Sequence, residues 1–329
     1  MSNPTDSIRT QVPQRVQQVT VVGAGVIGAS WVALFLAHGL RVCVSDPREG
    51  VDAEVRDYVA RAMPTLAQLG APQANNEIGE RLRFEPDLER AVAQADQVQE
   101  NGPERLDFKR QLWRRVEQAA PAGALFLSSS SALPATDQAA EMATPQRLLV
   151  GHPFNPPHII PLVEVVPGKA TAPESVQAAV DFYRAVGKVP QVLRKEVGGF
   201  VANRLQSAIF RECVALVVGG VVTIDELDEI VTNSVGLRWA AGGPFASFHL
   251  GGGDGGLRSF VEQFGPGMEK RWASMQREVR FDEATKKLLF EQADAAYGQH
   301  TRAELEAARD ARQIAILQAL TGVSDSSKG

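Results

Sequence analysis

The sequence predicts an α/β protein: a doubly wound parallel sheet followed by a second, smaller all-helical domain. Three observations carry this reading. Strand-like and helix-like segments alternate up to about residue 195. A glycine-rich turn joins the first strand to the first helix. Beyond residue 195 the periodicity is helical and is broken only by Gly/Pro turns. The expected domains are residues 1–195 and 196–329.

Val16 to Val22 is rich in β-branched residues and reads as a strand. Ala29 to His38 is an apolar helix stopped by Gly39, and Leu40 to Ser45 is the next strand, completing one βαβ unit. Val51 to Leu69 is an amphipathic helix with an expected break or kink at Pro64. Strands follow at Leu82 to Phe84, Gln97 to Glu100, Leu125 to Ser128, Arg147 to Val150, Leu162 to Val166 and Val189 to Leu193. Helices are expected at Asp87 to Ala95, Arg105 to Ala120 and Pro173 to Val186. In the second domain Gly199 to Gly219 is one long helix, and Thr223 with Glu226 forms a capping box for the next.

Composition removes several function classes. The net charge is −5 and no basic run offers a phosphate-backbone footprint, so nucleic acid is not an expected partner. No apolar stretch is long enough to cross a bilayer, and the polar segment Met1 to Gln14 does not read as a signal peptide; a cytoplasmic protein is expected. Both ends of the chain are expected to be frayed. Cys43 and Cys213 lie in apolar stretches and read as buried free thiols. No His/Cys spacing suits a metal.

Gly23-Ala24-Gly25-Val26-Ile27-Gly28 sits between strand and helix, as a dinucleotide site requires. Gly23 permits the tight turn, Gly25 lets the backbone approach a pyrophosphate, and Gly28 lets helix and strand pack closely. Val26 and Ile27, within the same turn, are counted with the glycines as cofactor-binding, and the N-terminus of the helix that follows faces the phosphates. Asp46 closes the second strand, where its carboxylate accepts both ribose hydroxyls and repels a 2′-phosphate. This Rossmann-type arrangement selects NAD as cofactor, although nearby Arg48 is a residue type that tolerates a phosphate.

His152 follows a strand at the carboxyl edge of the sheet, in a short rigid turn, where a histidine can take a hydroxyl proton. Its segment Gly151-His152-Pro153-Phe154-Asn155-Pro156, with Pro161-Leu162-Val163-Glu164-Val165-Val166, resembles the signature of the L-3-hydroxyacyl-CoA dehydrogenases. Three further segments match that family in order: Glu100 to Lys109, Ser128 to Ser131, and Gly199 to Arg204. The resemblance implies that His152 is the base, with Glu104 fixing its tautomer and balancing its charge. It implies that Ser131 and Asn203 hold the substrate oxygen, and that Glu104 and Ser131 also border the cofactor. Ser129 and Gly198 depart from the family pattern, which commonly has asparagine and proline there.

The tail, with Gly236-Leu237-Arg238-Trp239, Gly243-Pro244-Phe245 and Gly251 to Arg258, resembles the L-carnitine dehydrogenase branch. That likeness implies NAD-dependent oxidation of a small L-3-hydroxy acid, L-carnitine to 3-dehydrocarnitine. L-gulonate, a short L-3-hydroxyacyl-CoA, or a non-catalytic crystallin-like role are the alternatives. Arg238 is the candidate carboxylate clamp. Trp239 and Phe245, with Phe248, are the candidate cage for a trimethylammonium group, or ordinary core. The first lysine is Lys109, which speaks weakly against a CoA ester. The family also implies a homodimer formed through the helical domain.

Overall fold

A computed structural model describes residues 16–74, 76, 78–275 and 278–322 of the chain. The segments expected to be frayed, Met1 to Gln14 and Ser324 to Gly329, lie outside the described residues. The chain divides into two compact units, one up to Phe200 and one from Val201.

The first unit is an eight-stranded sheet flanked by helices. In chain order it comprises β1 (Gln18–Val22), α1 (Val26–Ala37), β2 (Arg41–Ser45), α2 (Val51–Gln68), β3 (Leu82–Phe84), α3 (Leu88–Val92), β4 (Gln97–Glu100) and α4 (Leu106–Ala119). Then come β5 (Leu125–Ser128), α5 (Ala135–Gln138), β6 (Leu148–Pro153), β7 (Leu162–Pro167), α6 (Pro173–Ala185) and β8 (Val189–Val192). The strand order is β3-β2-β1-β4-β5-β6-β7-β8. The order reverses between β1 and β4, and the crevice of such a sheet lies there, outside the carboxyl ends of the strands.

The sheet is not wholly parallel. β7 runs antiparallel to β6, in a register that pairs Gly151 with Val165 and His152 with Glu164. The connection between them has no room for a crossover helix, so the chain returns as a hairpin. His152 therefore lies inside β6 and not in a turn after it, and it is 4% exposed.

α1 is apolar all round, because it is buried from Gly28 to Ala37. Of the break or kink expected at Pro64, the break is absent: α2 runs through it. Its buried residues Val51, Val55, Val59, Ala62 and Leu66 form one stripe that continues past the proline. Burial of that stripe offsets the ~3 kcal/mol that an interior proline costs. Trp31, Phe35, Phe182 and Tyr183 pack as an aromatic group on this side of the sheet, and Trp113 stacks on Phe126 in a second core cluster on α4.

The second unit is helical: α7 (Ala202–Val218), α8 (Ile224–Thr232), α9 (Val235–Gly251), α10 (Gly256–Ser274), α11 (Glu283–Tyr297) and α12 (Arg302–Gly322). The capping box of α8 forms, with Thr223 Oγ accepting from the Glu226 N–H and the Glu226 carboxylate accepting from the Thr223 N–H. Burial here is sparse. Among its described residues only Val214, Ala215, Val217, Leu227, Gly256, Thr285 and Ile314 are buried. Cys43 is buried as expected, but Cys213 on α7 is half-exposed, because it borders an open apolar groove. Among the described residues no helix is long and apolar enough to cross a membrane, and no group of three or more His, Cys, Asp or Glu is placed to hold a metal.

Candidate active site

The turn after β1 is shaped by crowding. Gly23 has φ +81°, and a Cβ there would lie 2.9 Å from the Asn101 carbonyl oxygen. A Cβ on Gly28 would lie 2.0 Å from the Gly23 oxygen, so neither position admits a side chain. Gly25, by contrast, faces open space. It borders a cleft of about 550 Å³ that also reaches Asp46, Pro86, Asn101 and Phe108. This room beside a bare helix N-terminus fits a dinucleotide pyrophosphate. Val26 and Ile27 form the first turn of α1.

Asp46 closes the other side of the cleft. Its carboxylate accepts from the Ala24 N–H at 2.8 Å and from the Arg48 N–H at 3.0 Å, and the Arg48 guanidinium pairs with it at 3.1 Å. Burial works to raise this carboxyl, but the two N–H groups and Arg48 outweigh it and hold it below the usual carboxylate range. Asp46 is therefore a fixed anion at the edge of the cleft. Arg48 is drawn onto Asp46, Glu54 and the Ala24 carbonyl.

The serine loop follows β5. Glu104 Oε1 accepts from the Ser130 hydroxyl at 2.5 Å and from the N–H groups of Ser131 at 3.1 Å and Ala132 at 2.9 Å. Burial raises the Glu104 carboxyl, and Ser130, Lys109 and the loop N–H groups outweigh it, leaving it lowered. Ser131 is exposed. Ser129, where the family commonly has asparagine, accepts from Trp31 Nε1 at 3.1 Å and Gln99 Nε2 at 2.9 Å and donates to Asn101 Oδ1 at 2.7 Å. A serine here ties α1, β4 and the turn after it together.

The carboxylate bonded to His152 is that of Glu164, with Nδ1 and Oε2 2.9 Å apart and both side chains buried. This corrects the expectation that Glu104 fixes the His152 tautomer. The hairpin register sets Glu164 directly across from His152, whereas Glu104 is committed to the serine loop. The ring of His152 also lies between Phe154, at 5.0 Å, and Phe200, at 5.3 Å. A carboxylate accepts only, so Nδ1 carries the proton of this bond, and in the neutral ring Nε2 is the nitrogen with the lone pair. Sequence reasoning missed Glu164 although it stood within a quoted motif. The available signal was one acid inside an otherwise apolar strand.

Asn203 lies in the first turn of α7, half-buried. Arg238 and Trp239 are exposed on α9, as is Phe245 at 76%. The ring partners of this region are Phe248, Phe260 and Phe264, with centroids 4.9 and 5.0 Å apart along the series. Phe248 thus stacks toward α10 and makes no ring pair with Trp239 or Phe245.

A doubly wound sheet with a glycine turn opening onto a cleft, and a buried His–Glu pair at its carboxyl edge, are the arrangement of a dinucleotide-dependent dehydrogenase. Residues 18–197 match the 3-hydroxyacyl-CoA dehydrogenase NAD binding domain, and residues 199–291 match the C-terminal domain of the same family. The chain belongs to the 3-hydroxyacyl-CoA dehydrogenase family: it is an NAD-dependent oxidoreductase acting on a CH–OH group, that of a 3-hydroxy acid. Among its relatives, an L-carnitine dehydrogenase of Streptomyces griseus is 43% identical over 93% of this chain and 91% of its own length. A 3-hydroxyacyl-CoA dehydrogenase of Gibberella moniliformis is 44% identical over 82% of this chain and 83% of its own. Among solved structures, an NAD+-dependent dismutase, 5-formyl-3-hydroxy-2-methylpyridine 4-carboxylic acid 5-dehydrogenase, is 28% identical with a TM-score of 0.80, covering 94% of this chain and 99% of that one.

Proposed function

We propose that this enzyme oxidises the 3-hydroxyl of L-carnitine to 3-dehydrocarnitine, with His152 as base and Glu164 as its partner. The observation that carries the chemistry is the buried 2.9 Å bond between His152 Nδ1 and Glu164. The substrate reading rests on the similarity to L-carnitine dehydrogenases, several of them 40–43% identical over most of the chain.

His152 Nε2 takes the hydroxyl proton while the C3 hydrogen leaves with its electron pair. The nicotinamide, when bound, accepts that hydride. Glu164 keeps Nδ1 protonated and balances the imidazolium that forms. Phe154 and Phe200 exclude water from the ring faces. Glu104 holds the serine loop and with it Ser131, which is assigned to the substrate oxygen; the family pattern gives Asn203 the same assignment. Gly23, Gly25, Val26, Ile27, Gly28 and Asp46 would hold the dinucleotide, and Glu104 and Ser131 would border it. Arg238 is assigned to the substrate carboxylate, and the exposed rings of Trp239 and Phe245 to the trimethylammonium.

The working form is a homodimer built through the helical unit. Phe210, Phe281 and Phe290 line an apolar groove of about 570 Å³ there and are more than half exposed, a surface suited to a second copy of the chain. The free cysteines fit a reducing, cytoplasmic setting.

NADH formation is to be followed with L-carnitine, D-carnitine, L-gulonate and L-3-hydroxybutyryl-CoA side by side. Turnover on L-carnitine is the expected result. Turnover on the CoA ester instead would give the second reading, which the Gibberella relative favours by name. Glu164→Gln is expected to lower kcat by ~10²–10⁴ and to leave NADH binding intact; unchanged kcat would remove Glu164 from the mechanism.

A further inference from the structure

Beneath the serine loop lies a chain of charges of which the mechanism above uses only one end. Glu100, the last residue of β4, is 0% exposed, and Lys109, in α4, is 1% exposed. Lys109 Nζ donates to both Glu100 oxygens, at 2.7 and 2.8 Å. The same carboxylate accepts from the Ser128 hydroxyl and from the Gly102 N–H, each at 2.7 Å. Lys109 Nζ also stands 3.5 Å from Glu104 Oε2, and Glu104 Oε1 collects Ser130, Ser131, Ala132 and, at 3.4 Å, the Leu133 N–H. One buried cation therefore sits between two carboxylates. The first fixes the start of the serine loop and the turn bordering the cofactor cleft, and the second fixes the rest of the loop.

A buried ion pair is weak support for stability, since a well-packed apolar pair does as well. Its use here is positional. Without Lys109 the two carboxylates face each other across a dry interior and repel. Glu104 has an escape, because its side chain is 38% exposed. It either swings outward or takes a proton, and in both cases it loses strength as acceptor for the loop N–H groups.

We infer that Lys109 is a positioning residue: through Glu104 it sets the place of the serine loop and with it Ser131. The inference rests on the reading that Ser131 and Glu104 serve the reaction.

Lys109→Met alone strands the Glu100 charge in the interior and endangers the fold. The companion variant is Lys109→Met with Glu100→Gln. The glutamine keeps one acceptor oxygen, for the Gly102 N–H, and turns its amide N–H to the Ser128 oxygen, which can accept; methionine fills the space of the lysine stem. This pair is to be built with and without Glu104→Gln. The first readout is the titration of the Glu104 carboxyl carbon by NMR, identified by its loss in Glu104→Gln. The second is kcat and KM for L-carnitine. In the paired variant the Glu104 titration is expected to move to higher pH and kcat to fall ~10–100-fold, the scale of a small misplacement. On the Glu104→Gln background the pair is expected to change kcat by no more than about twofold, as a shared route demands. An unmoved Glu104 titration overturns the inference. So does a kcat loss that multiplies in full on the Glu104→Gln background. If the wild type turns over none of the substrates, the functional reading fails, and the titration still decides the Lys109–Glu104 link.

Discussion

At the scale of single residues, environment decides role. Asp46 was legible in the sequence, because a carboxylate at the end of the second strand follows from the glycine turn by spacing alone. Glu164 was not, because its partnership depends on a strand pairing that no spacing along the chain reveals. Lys188 is a third case. Its Nζ donates to the Pro157 and Ile160 carbonyls in the segment after His152, and burial pushes the amine down to about 7 from 10.5. The unfolded chain therefore binds a proton that the folded chain sheds between those values. This group's contribution makes stability rise with pH across that window and stay flat below it. Thermal melts from pH 6 to 9.5 are expected to show a shallower rise for Lys188→Met than for the wild type. Parallel curves would mean that Lys188 titrates as an ordinary surface amine. Asp46→Ala is expected to weaken NADH binding at least tenfold by fluorescence titration, through loss of the ribose acceptor.

At the scale of elements, periodicity gave most strands and helices within a residue or two, and it failed where tertiary contacts override local preference. Pro64 was read as a break or a kink, and of the two the break does not occur: the buried face of α2 carries the helix past it. The strand holding His152 was cut short at Val150, because Gly151 and Pro153 read as turn residues. Gly151 has another reason to be there. A Cβ would lie 2.0 Å from the Tyr183 hydroxyl, which is itself buried and donates to Gln99 at 2.9 Å. Gly151→Ala is therefore expected to cost about 1–3 kcal/mol in denaturant unfolding and to disturb His152 next to it. A stability equal to wild type would show that Tyr183 can yield. Thr223→Ala removes the α8 cap and is expected to cost about 1 kcal/mol.

At the scale of the molecule, the two units differ in how far each completes its own core. The sheet unit encloses three clusters of buried apolar residues, whereas the helical unit leaves Phe210, Phe245, Leu250, Trp272 and Phe290 exposed. If a second copy covers that surface, unfolding of the helical unit depends on protein concentration. Its midpoint in guanidinium is expected to rise when concentration is raised a hundredfold, and a fixed midpoint would argue for a monomer. A different consequence follows for the inheritance of the His152–Glu164 pair. The two residues are joined across a ladder, so the loop between β6 and β7 is free to lengthen, or to shorten as far as a tight hairpin turn, without parting them. A single insertion within either strand does the opposite and turns one partner to the far face of the sheet. Distant members of this lineage should thus be aligned by the position of each residue within its own strand, and the number of residues separating the two left free to drift.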